Sequence, residues 1–323
     1  MRTLRIAMAQ INPTVGDLAG NRDRIIDSIK RARKAGADLV ALPELAVTGY
    51  PPEDLLLKPQ FVKDNVKVLH EVQQATRGIT AVVGFVDRQD FLYNAAAVLH
   101  NGEHRYTYHK ILLPNYGVFD ENRYFQTGSR SPVYVVAGVG VGVSVCEDIW
   151  YPGDPTRSQC LQGKAQLIVN ISSSPYHAGK MHSRQKMPAT RAWDYSTTVA
   201  YVNLVGGQDE LVFDGDSVVL DEKGQLIARG KQFAEDLVVA DLDVGAVFGT
   251  RLKNPRWKKA TLPAEQKWHT PRIVVSEAPT NVPKPPLPQR HIEVRGLPGG
   301  IYDALVLGTR DYIIKNGIKK VVI

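Results

Sequence analysis

Apolar positions along this chain follow two periods, one near 3.6 residues and one of two residues, which predict helices and strands respectively. Helices are expected at 18–35, near 61–76, directly after Glu147, and around 184–198. Strands are expected at 4–11, 39–42, 79–86, 92–99, 133–136, 139–145, 166–171 and 200–205, with hairpin-like strands around a turn at 221–224. This mixture predicts an α/β protein. Two sheets with helices outside each, a four-layer α-β-β-α sandwich, account for the pattern, and a doubly wound sheet stays open as the alternative.

The pattern changes after residue 250, where prolines recur through a basic stretch. Such a composition predicts a linker or a wrapping arm. Helical spacing returns at 301–316, with a candidate C-cap at Gly317 and a final strand at 319–323. One helix and one strand cannot bury a core of their own. The expected division is therefore a domain at 1–250, a linker at 251–298 and the opening helix and strand of an incomplete second α/β domain at 299–323.

Composition removes several functional classes. The net charge of +7 arises in residues 250–323, which carry 14 Lys/Arg against 5 Asp/Glu, whereas residues 1–249 carry 26 against 28. The part before residue 250 shows no basic stripe interleaved with aromatics. A nucleic-acid partner is therefore not expected. No apolar run approaches the roughly 20 residues that span a bilayer, and no signal-peptide pattern is present, so we expect a cytoplasmic protein without a membrane partner. Two cysteines provide neither a disulfide framework nor a four-cysteine zinc site.

The segment 140–150, Gly-Val-Gly-Val-Ser-Val-Cys-Glu-Asp-Ile-Trp, ends a buried strand pattern at Cys146. The acidic pair that follows predicts a helix start, which would place Cys146 at a strand-to-helix turn. Backbone N–H groups at such a turn stabilise a thiolate or an oxyanion, which makes Cys146 a candidate nucleophile. A buried structural cysteine is the alternative. No metal site is expected.

Two further segments carry ionisable residues in positions that suit catalysis. Glu44 follows a predicted strand directly, where partial burial would raise its pKa toward the working pH and suit a general base. Lys110 lies among aromatic and aliphatic residues, where its ammonium group could stabilise an oxyanion. Taken singly, each has an ordinary explanation: an exposed loop glutamate, and a surface lysine whose aliphatic stem is buried while its ammonium group reaches solvent.

Taken together, the three segments resemble the signature motifs of the nitrilase (carbon-nitrogen hydrolase) superfamily. The matching motifs are Leu-Pro-Glu-Leu-x-x-x-Gly-Tyr-Pro around Glu44, His-Lys-x-x-Leu-Pro around Lys110 and Val-Cys-Glu-Asp-Ile-Trp around Cys146. Their order and spacing are most similar to the glutaminase domain of the glutamine-dependent NAD+ synthetase family. The resemblance covers roughly residues 3–250, and it implies hydrolysis of L-glutamine to glutamate and ammonia.

The C-terminal segment extends the resemblance. Residues 301–312, Ile-Tyr-Asp-Ala-Leu-Val-Leu-Gly-Thr-Arg-Asp-Tyr, are similar to the segment that opens the synthetase domain in that family. The family's Ser-Gly-Gly-x-Asp-Ser loop, which binds ATP pyrophosphate, does not follow. The resemblance therefore implies no cofactor for the glutaminase step, and ATP and Mg2+ only for a synthetase domain supplied in cis. We also expect a homo-oligomer.

Residue roles follow from the resemblance position by position. It implies that Glu44 is the proton acceptor, Lys110 the cation that stabilises the oxyanion, and Cys146 the nucleophile, with a second glutamate, Glu121, beside Lys110. The ordinary alternative for Glu121 is a loop carboxylate paired with Arg123. Contacts to glutamine are implied for Tyr116, Ser174 and Lys180, and the backbone N–H of Glu147 would meet the oxyanion.

Other functions stay open from sequence alone. A cysteine-histidine hydrolase would use His109 or His177 as its base. A free-standing amidase of the same superfamily would act on other ω-amides, with the C-terminal stretch wrapped around the domain. A non-enzymatic docking module would use its basic C-terminal part to bind a nucleotide or an acidic partner.

Overall fold

The structure is a computed structural model that describes residues 3–261, 269–277 and 283–322. Its α-helices are α1 Leu18–Lys34, α2 Pro59–Gln73, α3 Thr156–Leu161, α4 Lys180–Tyr195, α5 Val244–Lys253, α6 Pro255–Ala260 and α7 Leu297–Lys315. Its strands are β1 Thr3–Gln10, β2 Leu39–Ala41, β3 Thr80–Arg88, β4 Leu92–His100, β5 Glu103–His109, β6 Val133–Val136, β7 Val139–Val145, β8 Leu167–Ser172, β9 Thr198–Asn203, β10 Val205–Gln208, β11 Leu211–Asp214, β12 Val218–Leu220, β13 Leu226–Arg229, β14 Asp236–Asp243 and β15 Arg272–Val274.

Two large sheets carry most of these strands. One has six strands in the order β14-β1-β2-β3-β4-β5, and the other has seven in the order β13-β12-β9-β8-β7-β6-β15. The central pairs β1–β2, β2–β3, β7–β8 and β8–β9 are parallel. Parallel neighbours end at the same edge of a sheet, and functional side chains often collect at that edge. Residues that directly follow β2 and β7 therefore lie where a site is expected.

Three apolar cores define four layers. The central core lies between the sheets and includes Ile6 and Met8 of β1 with Val141, Val143 and Val145 of β7. A second core joins the outer face of the six-stranded sheet to α1 and α2. A third joins the other sheet to α3 and α4. The predicted α-β-β-α sandwich is confirmed, and the doubly wound alternative is wrong.

The structure differs from the predicted pattern at several points before residue 250. Strand β5 is not predicted, because its exposed start, Glu-His-Arg, carries no apolar alternation. The helix expected after Glu147 is a single 3₁₀ turn, Cys146–Ile149, and α3 begins only at Thr156. The helix expected around 184–198 starts earlier, at Lys180, and ends at Tyr195.

The C-terminal part differs as well. Within the predicted linker, α6 and β15 are regular elements, and β15 pairs in parallel with β6. The strand expected at 319–323 is wrong for 319–322, which have no strand structure, because a strand needs a hydrogen-bonded neighbour. Residue 323 lies outside the described residues. No helix within the described ranges is long and apolar enough to cross a membrane.

Candidate active site

Cys146 lies directly after β7 and opens the 3₁₀ turn. Its φ of +44° falls in the left-handed region, which a residue with a side chain adopts at a cost of about 1–3 kcal/mol unless its surroundings enforce it. The neighbouring valines of β7 are locked in the central core, so they hold the turn. The side chain of Cys146 is buried, with 4% of its surface exposed.

Glu44 follows β2 and is fully buried. Its Oε1 accepts hydrogen bonds from Lys110 Nζ at 2.8 Å and Asn94 Nδ2 at 2.7 Å, and its Oε2 accepts from the Ser173 N–H at 2.8 Å. The backbone here passes so close to Gly84 of β3 that a Cβ atom would lie 2.3 Å from the Pro43 carbonyl oxygen. A glycine at 84 is therefore required to seat the carboxylate.

Lys110 follows β5, and its side chain is also fully buried. Besides Glu44, its Nζ donates to Glu121 Oε1 at 2.8 Å. Glu121 also accepts from Tyr50 Oη and Asn94 Nδ2, each at 3.4 Å. One ammonium group is thus held between two carboxylates inside the protein, and the sequence alternative of a surface lysine is wrong.

Burial and mutual charge set the protonation states of this group. Burial alone would lower the pKa of Lys110, but the Glu121 and Glu44 carboxylates outweigh it and raise that pKa well above its usual range. Burial raises the pKa of Glu121 to about 7, against the opposing effect of Lys110. Burial, reinforced by Glu44, raises the pKa of the Cys146 thiol well above its usual value. Cys146 therefore rests as a thiol and needs a base when it reacts.

Asp148 connects the nucleophile turn to the segment around Lys110, a role that the sequence did not indicate. Its Oδ1 accepts from the N–H groups of Ile111 at 3.1 Å and Leu112 at 2.8 Å. Its Oδ2 accepts from Tyr108 Oη at 2.7 Å and the Val145 N–H at 2.9 Å. The carboxylate is fully buried, and burial raises its pKa to about 6.

The implied substrate contacts surround this centre. Tyr116 is more than half exposed, and its hydroxyl donates to the Glu147 carboxylate at 2.9 Å. Lys180 opens α4, with Nζ donating to the Pro175 carbonyl at 2.9 Å and lying 5.9 Å from the Trp150 ring centroid. Burial lowers the pKa of Lys180, while the Cys146 and Glu147 charges raise it. Ser174 is buried, and its N–H donates to Asn203 Oδ1 at 2.9 Å.

The histidine alternatives have other partners. His109 Nε2 lies 2.7 Å from Asp87 Oδ2, and its ring stacks on Tyr93 at 4.0 Å. His177 is exposed. The charges that act most strongly on Cys146 are those of Glu44, Lys110, Glu121 and Glu147. Arg123, the alternative partner of Glu121, pairs instead with Asp54 at 3.3 Å.

Asn94 and Ser173 are the two partners of Glu44 that sequence reasoning missed. Asn94 was visible as a lone amide in the otherwise apolar run of β4, and such a residue needs a partner when buried. Ser173 acts through its backbone N–H, for which a sequence gives no signal.

A thiol at a strand end can lose its proton to the buried carboxylate beside it and attack a carbonyl carbon. The neighbouring ammonium group can stabilise the oxyanion that forms. In an α-β-β-α sandwich, this arrangement defines a thiol-dependent amide hydrolase. The family model for carbon-nitrogen hydrolase matches residues 5–251, and the chain belongs to that family.

Within the family, the chain is similar to glutamine-dependent NAD(+) synthetases. It is 42% identical to that of Thermotoga maritima, with 100% of this chain and 56% of the relative aligned. It is 42% identical to that of Aquifex aeolicus, with 99% and 55% aligned. The chain thus spans about half the length of the curated relatives it matches.

Solved structures agree with this placement. The glutamine-dependent NAD+ synthetase of Acinetobacter baumannii, in complex with ADP, has a TM-score of 0.76 at 32% identity and covers 98% of this chain and 53% of its own. An amidase variant from Nesterenkonia sp. has a TM-score of 0.68 at 27% identity and covers 77% of this chain and 95% of its own. That structure shows covalent addition of the acetamide moiety of fluoroacetamide at the active-site cysteine.

Proposed function

We propose that this chain hydrolyses the side-chain amide of L-glutamine to glutamate and ammonia, with Cys146 as the nucleophile. The observation that carries the proposal is the buried Glu44–Lys110–Glu121 group beside a thiol that rests protonated. Such a site combines a base for the thiol with a fixed cation for the oxyanion.

The choice of glutamine is supported by opposite charges around the nucleophile. The Glu147 carboxylate, bonded to Tyr116, suits an α-ammonium group, and the Lys180 ammonium suits an α-carboxylate. Ser174 lies in the same segment as Lys180 and supplies a further polar contact. The names of the Thermotoga maritima and Aquifex aeolicus relatives favour the same substrate.

The first half of the reaction forms a thioester. Glu44 takes the proton of the Cys146 thiol, and the sulfur attacks the side-chain carbonyl carbon of glutamine. The oxyanion is stabilised by Lys110 and by the Glu147 N–H, which belongs to a first turn where N–H groups have no partner within the helix. Glu44 then gives its proton to the leaving nitrogen, the C–N bond breaks, and ammonia departs.

The second half releases glutamate. Glu44 takes a proton from a water molecule, whose oxygen attacks the thioester carbonyl carbon. The same donors stabilise the second oxyanion, the C–S bond breaks, and the proton held by Glu44 returns to the Cys146 sulfur. Glu121 keeps Lys110 charged and aimed throughout, because its Oε1 accepts a hydrogen bond from Nζ.

The ammonia is proposed to serve the ATP-dependent amidation of deamido-NAD+ to NAD+ by a synthetase domain in cis, which would use ATP and Mg2+. The glutaminase step itself is proposed to need no cofactor. A cytoplasmic location and a homo-oligomeric state are part of the same proposal. The synthetase domain in cis is supported by the relatives' name and by their length, which is nearly twice that of this chain.

The proposal is tested by incubating the chain with glutamine and measuring glutamate and ammonia, with Cys146→Ala as the inactive control. A glutamine-analogue diazo-ketone is expected to label Cys146. Cys160, which is fully buried, should stay unlabelled and serves as an internal control. Absence of both turnover and labelling would reject the proposal.

A panel of amides separates glutamine from other substrates. Glutaramate lacks the α-amino group, and butyramide lacks both head-group charges. We expect kcat/KM to fall at each step because Glu147 and then Lys180 lose their partners. Equal activity on butyramide and glutamine would favour the free-standing ω-amidase.

A further inference from the structure

Helix α7 lies outside the region that the family model matches, yet it packs against that region. Ala304 and Leu307 of α7 form an apolar cluster with Val205 of β10 and Phe233. Tyr176 and Val212 pack against the same cluster. One face of the helix is therefore packed onto the region that the family model matches.

The helix and the β10–β11 hairpin approach at backbone distance. A Cβ atom on Gly207 would lie 2.9 Å from the Cα of Gly308, and one on Gly308 would lie 2.9 Å from Val212 Cγ2. Two glycines facing each other permit this approach, because any side chain at either position would push the helix away.

Hydrogen bonds fix how α7 is positioned along β10. Asp311 is buried, and its Oδ2 accepts from Asn12 Nδ2 at 2.6 Å and from the Gly207 N–H at 2.9 Å. Lys315 Nζ donates to the carbonyl oxygens of Pro13 and Gly207, each at 2.9 Å. Gly207, an edge residue of β10, is thus bonded through both its backbone groups to α7.

The hairpin in turn supports the substrate segment. The Tyr176 N–H donates to the Val212 carbonyl at 2.7 Å, and the Tyr176 ring packs edge-on against Phe233 at 5.3 Å. At the end of β11, Asp214 makes a two-pronged ion pair with Arg184, one turn beyond Lys180 in α4. Both ends of the 176–184 stretch are therefore attached to β11.

We propose that Leu307 and Asp311 of α7 are positioning residues for the head group of the substrate. Both residues hold the β10–β11 hairpin in place. The hairpin in turn binds Tyr176 and Arg184, and these two residues fix the position of Lys180 relative to Cys146. The catalytic carboxylate Glu44 is held by other contacts, because it is bonded to Lys110, Asn94 and the Ser173 N–H rather than to the hairpin. The inference rests on the proposed function, since it assigns α7 to glutamine recognition.

The proposal predicts that changes in α7 alter KM for glutamine while leaving kcat nearly unchanged. Loosening α7 displaces Lys180 and weakens the binding of glutamine, whereas Glu44, Lys110 and Cys146 keep their contacts. By linkage, bound glutamine must favour the docked helix by the same factor. Whatever binds the outer face of α7 can then alter glutamine affinity without touching the nucleophile.

The test compares Leu307→Ala and the milder Asp311→Asn with Leu305→Ala in the full chain. Leu305 lies on the same helix but is 65% exposed, so it is the matched control. We expect the first two to raise KM for glutamine about tenfold with little change in kcat. The rate at which fluoroacetamide alkylates Cys146 should match wild type in all three, because that reagent has no head group. Leu307→Met should restore KM.

Hydrogen exchange of residues 176–180 provides a readout that does not depend on the substrate. Faster exchange there in Leu307→Ala, but not in Leu305→Ala, supports the inference even if the wild type fails to hydrolyse glutamine, a result that would reject only the proposed function. Unchanged exchange and unchanged KM in Leu307→Ala would overturn the inference. Equal losses in kcat and alkylation rate would also overturn it, because they would mean that α7 supports the whole fold.

Discussion

The Asp148 carboxylate has no spare acceptor capacity. Each oxygen takes two hydrogen bonds, and the four donors come from both sides of the site: Tyr108, Ile111 and Leu112 near Lys110, and Val145 beside Cys146. A proton on either oxygen would face a donor instead of an acceptor. The anion is therefore the only form that satisfies all four groups, although burial raises its pKa to about 6.

Asp148→Asn is expected to lower kcat/KM for glutamine about 100-fold or more, because the new amide nitrogen must face two donors and separate the Lys110 segment from the Cys146 turn. The measurement is steady-state kinetics at pH 8, with circular dichroism to verify the fold. Asp90→Asn, at an exposed position, is the control and should match wild type. Wild-type kinetics in Asp148→Asn would contradict this role.

The sequence predicts the site residues that lie in recognisable motifs, but it does not predict which residues contact them. Glu44, Lys110, Glu121 and Cys146 were singled out by their segments, and the structure brings them together. Asn94 and Ser173 reach Glu44 from 50 and 129 residues away. Such pairings depend on the register of β4 and β8 in two different sheets, and a single sequence does not encode register in any local pattern.

At the scale of elements, the central strand β7 was predictable, whereas the edge strands β5 and β15 were not. Strand β7 alternates valine with small residues because one face packs in the central core, which produces a clear period of two. Strands β5 and β15 lie at sheet edges and have exposed positions. Prolines around β15 further favoured a linker. Edge strands take their stability from a neighbour's backbone, which leaves little trace in their own residues.

The β15 segment offers a test of whether it belongs to the fold. Val275 is 5% exposed and lies in the central core, and its N–H donates to the Val135 carbonyl at 2.9 Å. Val275→Ala is expected to lower the free energy of unfolding by about 1.5 kcal/mol, measured by urea denaturation. Val274→Ala, at a neighbour that is 60% exposed, should change it by less than about 0.5 kcal/mol. Equal effects would mean that the segment is not packed.

At the scale of the whole molecule, the basic residues near the C-terminus form ion pairs with acidic residues of the sandwich. The basic C-terminal part lies against acidic positions of the sandwich: Lys284 pairs with Asp38, and Arg290 pairs with Asp236. Arg5 adds a hydrogen bond to the Pro285 carbonyl at 2.6 Å. The residues around 283–290 therefore form an arm that is attached to the six-stranded sheet largely by charge.

Salt should release this arm. Ion pairs at a partly exposed surface are screened at 1 M NaCl, where the Debye length is about 3 Å. Cleavage after the exposed Glu293 by a glutamate-specific protease is expected to be faster at 1 M than at 0.05 M NaCl. The double variant Lys284→Ala with Arg290→Ala should be cut rapidly at both concentrations. Lys63→Ala, at an exposed position of α2, should behave as wild type, and salt-independent cleavage of wild type would contradict the attachment.

The buried ions of the site also bear on how such sequences diverge. Lys110, Glu44 and Glu121 occupy space that apolar side chains of similar volume could fill, often with no loss and sometimes a gain in stability. Removing Lys110 alone leaves two buried carboxylates without their shared counter-ion and is costly, whereas losing either glutamate still leaves Lys110 one partner. A lineage relieved of selection for this chemistry is thus held back at Lys110, which is freed only by concerted replacement with its partners. Lys110 and at least one of its carboxylates are expected to persist in descendants long after their substrate has changed.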